Sequence, residues 1–209
     1  PKKVVPPKPL DKEPGALAAT DLARRVVREK IAGVDVLLGP TEARDIVHLL
    51  ASVPAGEAAA PNRALAHLTA GMLDRGTKRL DQFAFAELLE SLGATIESQV
   101  GADTVQFGVR CLSRDLPVVI SLLAEELRLP AFSPAELVKL KTELASEFQQ
   151  MLEDTDQQAA IAFSRAIFPP GHPARRSTVE EMIAGLKKAS LDDVRAFHAA
   201  NYGPDGMRL

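Results

Sequence analysis

Residues 103–112, DTVQFGVRCL, constrain the fold more than any other stretch. Val105, Phe107, Val109 and Cys111 alternate with Gln106, Gly108 and Arg110, the period of a strand with one face buried and one in water. ATIESQV (94–100) and the turn residues Gly101 to Asp103 come just before, so a hairpin is expected over 94–112. Its first strand is placed near a sheet edge. Three more β-rich runs, RRVVREKI, VDVLL and DIVHLLASV, fall within residues 24–54 and are separated by Ala32-Gly33 and Gly39-Pro40.

From Pro61 the apolar period lengthens. Leu65, Leu68, Met72 and Leu73 fall at helical spacing and Gly76 ends the run; a second helix is expected from Leu80 to Leu92, with Phe83 on its apolar side. After the hairpin, helices dominate. One contains RDLPVVISLLAEELRL, with proline near its start. Another starts at Ser133-Pro134-Ala135-Glu136, read as a capping box, and carries Leu137, Leu140, Leu144, Phe148 and Leu152 in a stripe. TDQQAAIAFSRAIF follows, and Thr178/Glu181 and Ser190/Asp193 mark two more helix starts. Strands and helices are segregated. The expected class is therefore α+β, a mainly antiparallel sheet with helices packed on one face.

Composition narrows the functions. Among 209 residues the net charge is −3 and basic residues are scattered, without the basic face that nucleic acid requires. No apolar run approaches the ~20 residues of a membrane span. The one cysteine, Cys111, excludes an internal disulfide. Residues 1–15, rich in proline and lysine, read as a linker, and residues 16–209 as one domain cut short at its C-terminal end. NYGPDGMRL, at that end, reads as a turn leading into an incomplete strand.

His67 is the first candidate for chemistry. A lone helical histidine is more often hydrogen-bonded structure than a ligand, and the positions after it are occupied by Ala70 and Gly71. Glu147 lies beside the apolar stripe, one turn after Glu143. Cys111 reads as a buried structural thiol, and His172 as a turn residue.

The ordered set of landmarks resembles one half of a pitrilysin/insulinase-family metallopeptidase, the inverzincins. Leu65-Ala66-His67 is similar to the start of the family's signature helix, and Met72, Leu73, Gly76 and Thr77 to its tail. ELLESLGATIES, DTVQFGVRCLSRDLPVVISLLAEEL, SPAELVKLKTELASEFQQMLEDTD and FPPGHPARRSTVEEM resemble later landmarks. The resemblance implies the half-domain fold of the pitrilysin, insulinase and mitochondrial-processing-peptidase type. It puts the first histidine ligand on His67, the general base on Ala70, the second histidine on Gly71 and the distal glutamate on Glu147. The base and one ligand are thus missing. Glycine has no donor atom, and alanine cannot accept a proton from zinc-bound water.

The resemblance implies an inert half that helps form a substrate chamber and binds peptide. The zinc and the chemistry belong to a catalytic partner half or subunit. The edge strand, Ile96, Glu97, Ser98 and Gln99, is the expected peptide contact, and a bacterial periplasmic location the expected compartment. An assembly protein of the same fold with no part in proteolysis, and an active metallopeptidase with a relocated site, are the alternatives. The inert reading predicts much less than one zinc per chain after dialysis, measured by mass spectrometry; stoichiometric zinc that is lost on His67→Ala would overturn it.

Overall fold

The computed structural model describes residues 25–41 and 45–209. The proposed linker, residues 1–15, lies outside them. The described residues form five strands and seven helices. The strands are β1 (Val27–Ile31), β2 (Val34–Leu38), β3 (Ile46–Val53), β4 (Thr95–Val100) and β5 (Val105–Leu112). The helices are α1 (Arg63–Leu73), α2 (Gln82–Ser91), α3 (Leu116–Arg128), α4 (Pro134–Gln150), α5 (Thr155–Ile167), α6 (Val179–Lys188) and α7 (Leu191–Asn201).

β1 and β2 form an antiparallel hairpin, and β3, β5 and β4 an antiparallel sheet in that order. The last residues join the two. Arg208 bridges Asp35 in parallel and Ser52 antiparallel, and Leu37 N–H donates to the Leu209 carbonyl at 2.7 Å. The strand expected after NYGPDG therefore begins, wedged between β2 and β3. The expected α+β architecture is the observed one.

The alternation in β5 holds as read. Val105, Phe107, Val109 and Cys111 are buried, and Gln106 and Arg110 face water. β3 contributes Ala51 and Val53 to the same core. Against this face lies α1, the most enclosed helix, which packs on α4, α6 and α7. Its start is fixed by Asn62, whose side chain accepts from Ala64 N–H and donates to the Gly185 carbonyl of α6 at 2.8 Å. A Cβ at Gly185 would lie 2.2 Å from Asn62 Oδ1, so only glycine lets α6 come this near. At its other end Gly76, at φ +100°, turns the chain out of the helix.

Some local expectations give way to packing and pairing. Thr178/Glu181 and Ser190/Asp193 do form capping boxes. Ser133 does not: its side chain makes no cap bond, and Glu136 pairs instead with Lys139 at 2.7 Å. The second helix starts later than expected, because Asp81 caps it by accepting from Ala84 N–H. Phe83 on that helix is 84% exposed, since the sheet takes its opposite side. Leu152 falls beyond the end of α4 and is exposed, outside the stripe assigned to it.

One buried acid is a cost. Glu126 of α3 is 2% exposed and is set against a second acid, Asp74, with which it interacts as the proton-holding member of the pair. Burial, then the nearby charge of Asp74, pushes its pKa up to about 9 from 4.5. Between these values the folded chain keeps the proton and the unfolded chain loses it, so stability falls as pH rises from 4.5 to about 9. Glu126→Gln removes that titration. It is expected to stabilise the chain by about 1–3 kcal/mol at pH 7, with the gain vanishing below about pH 4.5. Denaturant unfolding of both proteins across this pH range measures it, and a pH-independent difference would contradict the account.

Candidate functional site

Eight of the eleven residues of α1 are buried; Arg63, His67 and Gly71 are the three that are not. They are spaced four apart and so share one strip of the helix. That strip borders a cavity of about 420 Å³ and, at Gly71, the side chain of Leu140.

His67 is held from two sides. Its Nε2 lies 2.9 Å from Glu57 Oε1, and its ring meets Phe148 of α4 edge-on at 5.6 Å. Arg63 donates to Glu57 Oε2 at 3.1 Å and to the Pro173 carbonyl at 2.8 Å. Burial would raise the Glu57 carboxyl, but the hydrogen bond and charge of His67, with those of Arg63, outweigh it and hold it below the usual range. An ionised Glu57 only accepts, so His67 Nε2–H is the donor. That nitrogen is therefore not offering a lone pair.

Glu57 is positioned by backbone. It sits in a short turn docked on the β4–β5 connection, where Glu57 N–H donates to the Gly101 carbonyl at 3.0 Å and Ala58 N–H to Ala102 at 2.8 Å. Gly56 permits the approach, since a Cβ there would lie 2.4 Å from the Asp103 carbonyl carbon. Glu57 was not singled out in the sequence. Only its closeness to Gly56 hinted at a fixed turn, and the pairing with His67 is ten residues distant.

The position equated with the base is buried, and the one equated with the second ligand is crowded on one side. Ala70 is 2% exposed. A Cβ at Gly71 would stand 3.0 Å from Leu140 Cδ2 and 3.1 Å from Cδ1, so any side chain there requires Leu140 to shift. Glu147 is exposed on α4 and does not line the cavity; its neighbour Phe148 does. Arg75 occupies Glu143 in an ion pair. Among the described residues no three His, Cys, Asp or Glu side chains gather as a metal site. The donors present do not fit a bound zinc, because one is hydrogen-bonded to Glu57, one position is a glycine with no donor atom and Leu140 against it, and the distal carboxylate faces water.

β4 pairs only with β5 among the described strands. The turn bond from Gly101 N–H to the Thr104 carbonyl, 2.8 Å, fixes which groups are spare. Antiparallel pairs alternate between bonded and non-bonded, so Gln99 opposite Gln106 and Glu97 opposite Gly108 bond to β5. The N–H and C=O groups of Ile96 and Ser98 point to the open edge. Of the four expected contacts, these two offer backbone and Glu97 and Gln99 expose side chains. Val100, the last residue of β4, and Gly101 and Ala102 line the cavity beside His67.

His172 serves its turn, accepting from Ala174 N–H at 3.1 Å and stacking on Phe168. Cys111 is buried, and burial raises its thiol pKa.

The sheet with one helical face and the blocked ligand strip of α1 define a metallopeptidase-type half-domain without a metal centre among its described residues. The chain belongs to the insulinase family, peptidase family M16, whose model matches residues 36–178. It is 29% identical over 133 residues to the non-peptidase homolog YmxG of Helicobacter pylori, covering 63% of this chain and 30% of that protein. Its fold is similar to the inactive domain of a peptidase M16 from Pseudomonas fluorescens, with a TM-score of 0.79 at 21% identity over 88% of this chain and 45% of that one. It is also similar to pitrilysin, with a TM-score of 0.73 at 20% identity over 88% of this chain and 20% of that one. The chain thus spans less than half the length of each.

The Gly71–Leu140 contact is open to a double-mutant cycle. Gly71→Ala gains helix propensity of ~1 kcal/mol but must push Leu140 aside. It should be more favourable in a Leu140→Ala background than in the native chain, by about 0.5–2 kcal/mol in unfolding free energy. Additive effects would mean that Leu140 does not guard the position.

Proposed function

We propose that this chain is an inert half-domain of a zinc metalloendopeptidase, helping to enclose and bind peptide while a partner half carries the zinc. The observation that carries the reading is Leu140 packed where the second ligand would stand. Leu140 lies close enough over Gly71 that even a Cβ there would need it to shift, so the strip is packed for a residue without a side chain. The names of its relatives, a non-peptidase homolog and an inactive domain, support this.

The peptide-binding part of the proposal rests on the β4 edge and the cavity at its end. An unpaired edge offers backbone hydrogen bonds with little demand on sequence. The edge groups of Ile96 and Ser98 supply these, and the cavity supplies a place for one side chain. General acid–base catalysis, typically ~10² to 10⁴-fold, is absent from this half because position 70 is alanine. The chemistry must therefore come from the partner.

Ser98→Pro tests this. It removes an edge-facing N–H without touching the β5 ladder. With the zinc-bearing half present, it should lower the rate of peptide hydrolysis several-fold while zinc content and circular dichroism stay unchanged. Full turnover by a folded Ser98→Pro protein would leave the domain an architectural part with no role in proteolysis.

A further inference from the structure

The cavity beside His67 has a charge that its own residues do not cancel. Glu57 is balanced by His67 and Arg63. Arg176, which also lines the cavity, has no carboxylate partner among the described residues; its side chain donates only to the neutral Gln157 Oε1 at 3.2 Å. Its backbone is nevertheless fixed on both sides. Arg176 N–H donates to Ser164 Oγ at 3.1 Å, and its carbonyl accepts from Arg165 Nη1 at 3.1 Å. The neighbouring Arg165 is itself neutralised by Glu181. A guanidinium held on a pinned backbone and tethered by an amide is therefore presented at the mouth of a small cavity.

The cavity wall is otherwise apolar. Phe148, Met151, Ile161, Val179 and Met182 form it, and Phe148, Ile161, Val179 and Met182 are buried. About 420 Å³ is at the small end of ligand pockets, enough for one large apolar side chain and the backbone around it. The third feature is position, and charge then selects the direction: an antiparallel peptide would bring an N-terminal ammonium to Arg176, whereas a parallel one brings a carboxylate. β4 runs from Thr95 to Val100, and Val100 lines the cavity. A peptide laid parallel to the β4 edge thus reaches the cavity with its C-terminal end.

We propose that this cavity binds the C-terminal residue of a peptide, with an apolar side chain against the Phe148–Met182 wall and its terminal carboxylate on Arg176 and Gln157. The proposal rests on the peptide-binding reading of this domain and adds to it the end, the orientation and the chemistry of the peptide. Arg is suited to the task, because its planar fork matches a carboxylate in two hydrogen bonds. An amidated or extended end would meet the same wall without neutralising the charge.

The test uses the chain as it stands and two probes, N-acetyl-Ala-Ala-Leu with a free carboxylate and the same peptide as its C-terminal amide. Binding is followed by NMR titration. The acid is expected to bind about tenfold tighter than the amide, the scale of one charge-assisted hydrogen bond. Arg176→Gln should abolish that preference, leave the affinity for the amide unchanged, and leave thermal unfolding within the error of the native chain. Equal binding of acid and amide to the native chain, or a preference that survives in Arg176→Gln, overturns the carboxylate site while sparing the peptide-binding domain. If neither probe shifts the resonances of residues lining the cavity, the peptide-binding reading fails and this inference fails with it.

Discussion

The packing of α1 is the constraint on which the rest of the structure depends. A helix with eight of its eleven residues buried has contacts to satisfy nearly all round. The sequence meets this with small residues: Ala64, Ala66, Ala70 and Gly71 let neighbouring elements come close, while Leu65, Leu68, Met72 and Leu73 fill the wider gaps. The sheet supplies one wall through Phe107 and Val53, and α4, α6 and α7 supply the others. Only the strip of Arg63, His67 and Gly71 escapes full enclosure, so whatever α1 does beyond holding the core together must happen there.

In that strip, packing as well as the missing donor atoms works against a metal site. His67 keeps the position implied by the family pattern but spends its Nε2–H on Glu57. Glu57 in turn is fixed by the β4–β5 turn and by Arg63, which reaches across to the loop before α6. The histidine has become one member of a network that ties the sheet, the central helix and that loop together. Leu140 completes the change from the other side by occupying the space over Gly71. Installing a histidine at 71 therefore requires room as well as a new side chain, and recovering His67 as a ligand requires releasing it from a satisfied, part-buried carboxylate.

Much of the fold was legible because its signals were local. The period-two run from Val105 to Cys111 gave both the strand and its buried face, and the turn residues at 101–103 gave the hairpin. Thr178 and Ser190 announced α6 and α7 because capping is settled within four residues. Ser133 misled for the same reason in reverse, since Glu136 had an equally local alternative in Lys139. Phe83 misled because helical periodicity identifies a stripe without saying which side the sheet will take. The candidate site was legible only in outline. His67, Ala70 and Gly71 could be aligned with a known pattern, but Glu57 lies 10 residues from His67 and Leu140 lies 69 from Gly71, while Arg176 reaches the same cavity from the far end of the chain. Nothing at short range in the sequence marks such partners.

The geometry also separates two properties that an active half would hold together. Hydrolysis needs a metal, a base and a positioned water. Holding peptide needs only an unpaired strand edge and a shaped cavity beside it, and neither involves Ala70 or Gly71. Ile96 and Ser98 present their backbone from β4, on an element fixed by β5, while the cavity is walled by α4, α5 and α6. The first two turns of α1 contribute Arg63 and His67 to that cavity; Gly71 lies one turn further on and faces Leu140. The edge and the cavity thus stand on elements other than the stretch of α1 that holds Ala70 and Gly71.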